Sequence, residues 1–442
     1  MSSIPAPAAA LLAELAPAFT QPTFERATLL LLAALLTTGR RTAANLLRTL
    51  GGLAPGHPAS YRRVLSAARW SGLRLACALC RLVLVRFGPR ACVRLVADDT
   101  VTEHKGKHVW GKGRHRDPVR STRGYTAWRW GHKWVVLAVL VQFPFARRPW
   151  ALPVLVALYR PKGQARRHRT PAQLVRLLVR LLVRWYPGRR FRLAVDGNYA
   201  SHELARFAAA RGGRLALVSK FYPGAALYEP PPPYAGKGRP RVKGSKLPSP
   251  REVVARGRRR RRRVRWYGGG WRQVEVVSGT GHWYQSGWGL VAVRWVFVRD
   301  RTGTHRDEYF FTTDLALTER QVIEAYTGRW NIETTFQEAR AYLGLETTRG
   351  WCARTVRRAE PCLLGLYAVA ALLYERLWAE GAAAGGVAWA GKRTTTFSDA
   401  LTAVRRWLWA DWVLAGTGHQ AAFQKLPPAL REVLLCALAP AA

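Results

Sequence analysis

Val93-Arg-Leu-Val-Ala-Asp98-Asp99-Thr100 is the stretch on which the fold turns. Its β-branched and aliphatic residues predict a buried strand, and the two aspartates predict where that strand ends. The same pattern recurs further along. A basic, Gly-rich loop over 105–131 precedes a second strand over 134–141, and a third fits 152–159. Thr170-Pro171 opens a strongly helical stretch through Trp185, with threonine as cap and proline in the first turn. Residues 191–195 then read as a fourth strand that delivers Asp196-Gly-Asn-Tyr199, followed by a helix from about Ser201 and a fifth strand over 215–218. The predicted order is β-β-β-α-β-α-β, an α/β core with helices flanking a mixed sheet.

Outside this core, residues 1–90 are helical in pattern, with Thr23 as a candidate cap, an apolar stripe over 29–36, and exposed Arg and aromatic residues around Tyr61 and Trp70. That region reads either as a DNA-binding domain or as scaffold. The core then spans 91–221 and is interrupted over 222–317 by a basic insertion. Within it, Pro230–Pro233, Gly238-Arg-Pro-Arg241 and the run 258–263 predict an exposed linker, while 271–284 and 291–299 predict strands. Residues 318–350 return to the core as a last helix, and 351–442 form a helical C-terminal region: an apolar helix over 361–378, a Gly/Ala-rich hinge over 381–386, and a helical pair from about Ser398. Neither 29–36 nor 366–373 reaches the ~20 apolar residues of a bilayer span, so no membrane partner is expected. No leader pattern stands at the N-terminus, and the six cysteines lack zinc-site spacing, which predicts reduced thiols in the cytoplasm.

The formal net charge is +45 over 442 residues. Such an excess of cations needs a polyanion. Nucleic acid is the natural one, because phosphate contacts release condensed counterions and the basic residues are interleaved with Trp and Tyr.

Tyr326-Thr-Gly-Arg329-Trp-Asn-Ile-Glu333-Thr-Thr-Phe-Gln-Glu-Ala-Arg340 predicts one helix. At about 100° per residue, Tyr326, Arg329, Glu333 and Arg340 share a narrow polar stripe. Ala325, Ile332, Phe336, Ala339 and Leu343 form the apolar face beside it. Glu324 and Glu338 point elsewhere, which singles out Glu333 as the acid grouped with the cations. In isolation, Arg329 and Glu333 would be an ordinary surface ion pair at i,i+4. The two strand-end acids change that reading. Three carboxylates beside one sheet repel one another unless something offsets them, and a pair of divalent cations does so while supporting in-line displacement at phosphorus.

Asp98-x-Thr100, Asp196-x-x-Tyr199 and Tyr-x2-Arg-x3-Glu-x6-Arg resemble the motifs of the DDE transposases of the IS4 type, including the IS701-like group. The resemblance runs from about Val93 to Arg349. It departs from the family at Arg340, where lysine is usual; a planar fork replaces a compact ammonium. It implies an RNase H-like core interrupted by a β-rich insertion. It also implies two Mg2+ ions, replaceable by Mn2+, on Asp98, Asp196 and Glu333. Tyr326, Arg329 and Arg340 would hold DNA near the cut phosphate, and Tyr199 would support Asp196. Asp99 must face away from Asp98 by strand alternation; the family pattern, with its aspartate two residues before the threonine, favours Asp98. Lys105, Lys107, Lys112 and Arg114 are expected to contact the backbone, as are Arg239 and Arg241 in the insertion.

The resemblance implies a transposase that cuts the ends of its element in double-stranded DNA and joins them to a target, as a homodimer at synapsis. An RNase H-like nuclease that cuts without joining fits the same residues. So does a non-catalytic DNA-binding protein in which the acids only order the sheet.

Overall fold

In the computed structural model, residues 4–440 are described apart from 118–119, 165, 235, 237, 383–390 and 393. The expected hinge over 381–386 lies outside the described residues from position 383 onward. Five helices come first: α1 Ala6–Ala13, α2 Gln21–Leu36, α3 Ala43–Leu50, α4 Pro58–Ser66 and α5 Gly72–Leu84. The cap of α2 is Thr20 and not Thr23.

The core strands are β1 Cys92–Glu103, β2 Gly113–Arg116, β3 Trp128–Val141, β4 Trp150–Tyr159, β5 Arg190–Val195 and β6 Leu215–Lys220. Helices α6 Pro171–Trp185 and α7 His202–Ala209 lie between them in sequence. Thr170 and Gln173 close a capping box at the start of α6, and the Ser201 hydroxyl caps α7. In space the core order is β4-β3-β1-β5-β6, with β3 antiparallel to β1 and β4, and β1, β5 and β6 parallel. This is the mixed sheet with flanking helices expected from the sequence, in the RNase H-like order that the resemblance implied. Residues 134–141 of β3 are all buried, as they must be when helices cover a sheet on both faces.

Two differences matter for the site. First, β1 does not end at Asp98. It continues to Glu103, paired with β3 alone after β5 stops at Val195 opposite Ala97. Asp98 therefore sits where β1 loses its parallel neighbour, and Asp196 is the residue at which that neighbour leaves. Second, the expected loop over 105–131 contains β2, which pairs with the start of β3.

The insertion extends the core sheet instead of standing apart from it. Its strands are β7 Leu227–Tyr228, β8 Arg260–Arg265, β9 Trp271–Gln285, β10 Gly289–Asp300 and β11 Glu308–Thr312, with α8 Pro250–Arg256 among them. Through the pairing of β11 with β6, all described strands form one 11-stranded sheet. The basic run expected as a linker is the edge strand β8. Val264 is its buried anchor, Glu319 accepts from Arg260 and Arg262, and Arg263 and Arg265 lie over the Trp271 ring. Exposed arginines along an edge also discourage pairing with another sheet.

The remaining helices are α9 Glu319–Gly328, α10 Asn331–Leu343, α11 Ala353–Ala379, α12 Phe397–Leu408, α13 Gln420–Lys425 and α14 Pro428–Leu438. Helix α11 starts well before the expected Pro361, which it carries internally. By length and mean hydropathy (1.4) α11 meets the requirement for a membrane span, but 67% of its most apolar window is buried inside the fold, where it packs against β4, α12 and α10. It is a core helix here.

Candidate functional site

Helix α10 is the part that must be held still, and both its ends are pinned. At its C-terminus the Tyr342 carbonyl accepts from Arg41 (2.5 Å) and Arg405 (3.1 Å), two buried arginines that satisfy a terminal carbonyl and complement the helix dipole. Burial and mutual repulsion bring the Arg41 guanidinium down to about 9, and burial brings Arg405 to about 10. Gly344 follows with φ 64°, the left-handed cap, and a Cβ there would lie 2.7 Å from the Thr347 hydroxyl. At the other end, the single helix expected over 326–340 is two. Arg329 and Trp330 keep helical dihedrals, but the amides of Arg329, Trp330, Ile332 and Glu333 each bond three residues back, at 3.0–3.2 Å. Such a tightened turn alters the stagger of side chains on either side.

The turn aims Arg329 into the molecule. Its guanidinium bonds Asp98 Oδ2 at 2.6 Å and Glu333 Oε1 at 3.0 Å, and its other terminal nitrogen is 3.7 Å from Asp196 Oδ1. Three acids separated by more than two hundred positions thus meet around one cation. They meet on Arg329 and not on each other. Among the described residues, the one group of three potential ligand atoms lying within 4.8 Å of one another is a different set, His104, His132 and Glu360.

Burial pushes the Asp98 carboxyl up to about 7, against the pull of Arg329 and with help from the charges of Asp99 and Glu333. Burial raises Glu333 as well, opposed by Arg329. For Asp196, burial is outweighed by Arg329, the amides of Gly197 and Asn198, and the Tyr326 hydroxyl, which together hold its carboxyl below the usual range. One guanidinium cannot neutralise three carboxylates, so the site retains a deficit of positive charge. Arg329 Nε is buried without a hydrogen-bond partner.

Tyr326 is fully buried, stacks on Phe310 at 4.3 Å, and donates to Asp196 Oδ1 at 3.2 Å. Neither it nor Arg329 presents an open surface to a partner. Arg340 binds within the chain too, to the Thr100 hydroxyl, the Val101 carbonyl (3.2 Å) and Glu346 (2.9 Å), tying α10 to β1. Asp99 faces away from Asp98, as alternation requires, and meets Lys133 Nζ at 2.9 Å and the Tyr199 hydroxyl. Tyr199 was expected beside Asp196; the hydrogen bond goes to Asp99. Lys105, Lys107, Arg114, Arg239 and Arg241 are exposed, and Lys112 is half-buried with its ammonium on the Gly106 carbonyl (2.6 Å) and near the Trp130 ring.

Two cations escaped the sequence reading. Lys133 neutralises Asp99. Lys220, at the C-terminal end of β6, pairs with Glu308 (2.6 Å) and lies 6.0 Å from the Tyr326 ring. The signal for Lys220 was its place at the end of a parallel strand next to the Asp196 strand, where α/β sheets collect functional groups.

A family model described as "DDE superfamily endonuclease" matches residues 14–273, more than half of the chain. A second, described as an archaeal transposase of the ISC1217 type, matches residues 288–373. Asp98 and Asp196 fall in the first match and Glu333 in the second. No curated protein sequence matches the chain significantly. Among solved structures, a chain from the synaptic complex of piggyBac transposase with hairpin DNA aligns with a TM-score of 0.44 and 11% identity, covering 97% of this chain and 81% of that one. On the strength of the first family match, the protein belongs to the DDE superfamily endonucleases.

Proposed function

We propose that the chain is a DNA transposase that cleaves the ends of an insertion sequence and joins them to target DNA by Mg2+-dependent hydrolysis and transesterification with two ions. The observation that carries this reading is the convergence of Asp98, Asp196 and Glu333 on Arg329 at the carboxyl end of the parallel strands. The residues fit a hard cation by donor chemistry: all three ligands are carboxylates, and their charge exceeds what one guanidinium offsets. Divalent cations held by Asp98, Asp196 and Glu333 would activate an attacking hydroxyl and stabilise the leaving oxygen.

The chain's own residues have separate tasks in this reading. Arg329 holds the three acids together through its guanidinium and would be the side chain to give way to a cation. Tyr326 orients Asp196 through its hydroxyl, and Arg340 positions Glu333 indirectly by fastening α10 to β1. Lys133 pairs with Asp99 and offsets part of its charge. Double-stranded DNA is the partner in this proposal. A net charge of +45 and the exposed Lys105, Lys107, Arg114, Arg239 and Arg241 support backbone binding. Holding two ends at once calls for a homodimer.

A nuclease without strand joining uses the same acids, and one experiment separates the readings. The purified chain is incubated with its flanking DNA and Mg2+, and every nick and junction is mapped. Transposition predicts cuts at the element ends together with joined products. Cuts without junctions would leave the nuclease, and binding without cuts would leave a non-catalytic DNA-binding protein.

A further inference from the structure

The second buried polar cluster lies six residues further along β1 from Asp98. His104 follows the last residue of β1, His132 pairs with Thr102 across β3, and Glu360 reaches both from α11. All three are buried, at 8%, 0% and 1% exposure. The strands approach so closely here that a Cβ on Gly131 would stand 1.9 Å from the Thr102 carbonyl oxygen. Glycine is required at that position.

The His132 ring is the informative group. Its Nε2 lies 2.9 Å from the Trp110 carbonyl, which accepts but cannot donate, so Nε2 carries the hydrogen. Nδ1, the other ring nitrogen, is buried outside hydrogen-bond geometry and faces Glu360 Oε2 at 3.5 Å. Glu360 already has its donors: the Thr102 hydroxyl at 2.9 Å, Trp134 Nε1 and His104 Nε2. A cation between His132 Nδ1, His104 Nε2 and Glu360 would lie within reach of all three ligand atoms.

We propose that His104, His132 and Glu360 form a second metal site, separate from the acid site, for a borderline divalent cation of the Zn2+ class. The three ligand atoms lie within 4.8 Å of one another, a spacing that modest side-chain adjustment converts to common coordination. Two imidazoles and one carboxylate make a three-ligand zinc set with an open fourth position, and imidazole nitrogen selects against Mg2+. The cation takes the place of the hydrogen that His104 Nε2 now directs at Glu360, and that proton passes to Nδ1 or solvent. The surrounding hydrogen bonds are already built: the Trp110 carbonyl holds the His132 ring by Nε2, and Thr102 and Trp134 orient the carboxylate. His104 also lines a cavity of about 560 Å³ together with Lys105, Lys107, Lys112, Trp128 and Trp130, which would give the ion a route in from the His104 side. Bound there, the ion fastens α11 to β1 and β3.

The test uses the full chain, stripped with chelator and given excess Mg2+ to occupy the acid site, then titrated with Co2+ as a spectroscopic probe. One equivalent should produce the intense visible band of four-coordinate cobalt, and Zn2+ should displace it. The band should vanish in folded His132→Ala and fall sharply in His104→Ala, which lies nearer the cavity and serves if the former does not fold. Asp196→Asn should retain it. A folded wild-type chain without the band would overturn the proposal, as would a band that survives both histidine variants or is lost only in Asp196→Asn.

Discussion

Two charged clusters lie on the same strand and are built as opposites. Around Arg329, one buried cation is surrounded by three acids; around Glu360, one buried acid is surrounded by two histidines, a threonine and a tryptophan. Glu360 is well served. Although burial alone would raise its carboxyl, the two histidines beside it hold it down at about 2. The Arg329 cluster is under-served, since Asp98 rises to about 7 beside a guanidinium only 2.6 Å away. The contrast teaches that an acid can be buried either by giving it all its donors or by leaving it short of charge. In the proposed function, the second arrangement is the one that takes up hard cations.

Removing the cation should have the largest effect. Arg329→Met leaves three neighbouring carboxylates uncompensated and should cost about 3–5 kcal/mol of stability in metal-free buffer. Added Mg2+ should recover most of that loss, because the side chain that competed for the acids is gone. Unfolding midpoints with and without Mg2+ check both halves, and a variant as stable as wild type would erase the contrast between the clusters.

The next effect is on pH. Asp98, with its pKa near 7, must lose a proton before it can ligate a cation, so divalent affinity should be constant well above pH 7. Below it, affinity should weaken about tenfold per unit as one proton competes. Calorimetric titration from pH 5.5 to 8.5 measures this, with His132→Ala used to remove any contribution from the other cluster. A flat profile would mean that Asp98 is already ionised.

Smaller changes test the surroundings. Tyr326→Phe removes one hydrogen bond to Asp196, worth about 1 kcal/mol, and leaves the stacking on Phe310 in place. Its midpoint should fall slightly while the Asp196 carboxyl titrates higher, as carbon-detected NMR would read. Replacing Arg258, Arg261 and Arg263 by Gln spares the Glu319 contacts of β8. It should reduce the slope of log affinity for DNA against log salt by up to roughly 2.7, at about 0.9 per phosphate contact. An unchanged slope would show that this edge strand does not touch DNA.

Much of the acid cluster was legible because its residues stand at places that pattern reveals: Asp98 after an apolar strand, Asp196 after another, Glu333 on a helix whose apolar face, Ile332, Phe336, Ala339 and Leu343, is buried as expected. The break at Arg329 was not legible. Periodicity is nearly the same for one long helix and for two joined by a tight turn, and it is the turn that aims the guanidinium inward. The run 258–263 was misleading for a related reason. Consecutive arginines look like a solvated loop, yet an edge strand needs only alternate anchors, and Val264 with Glu319 and Trp271 as partners suffices. β2 and β11 are short and bounded by polar residues, so alternation had too few positions to register. The Glu360 cluster left no mark at all. His104, His132 and Glu360 lie in a loop, a strand and a helix with no spacing in common, and only the pairing of β1 with β3 under α11 unites them.

In the proposed function, cleavage depends on Asp98, Asp196 and Glu333 acting together on DNA. Its most direct test is single-turnover cleavage of element-end DNA in Mg2+ by Asp98→Asn, Asp196→Asn and Glu333→Gln, with binding measured alongside. Each variant should bind DNA within a few-fold of wild type and lose cutting by about a thousandfold or more, the scale of lost electrostatic catalysis. Cutting at the wild-type rate by any one of them would remove that residue from the site and contradict the account.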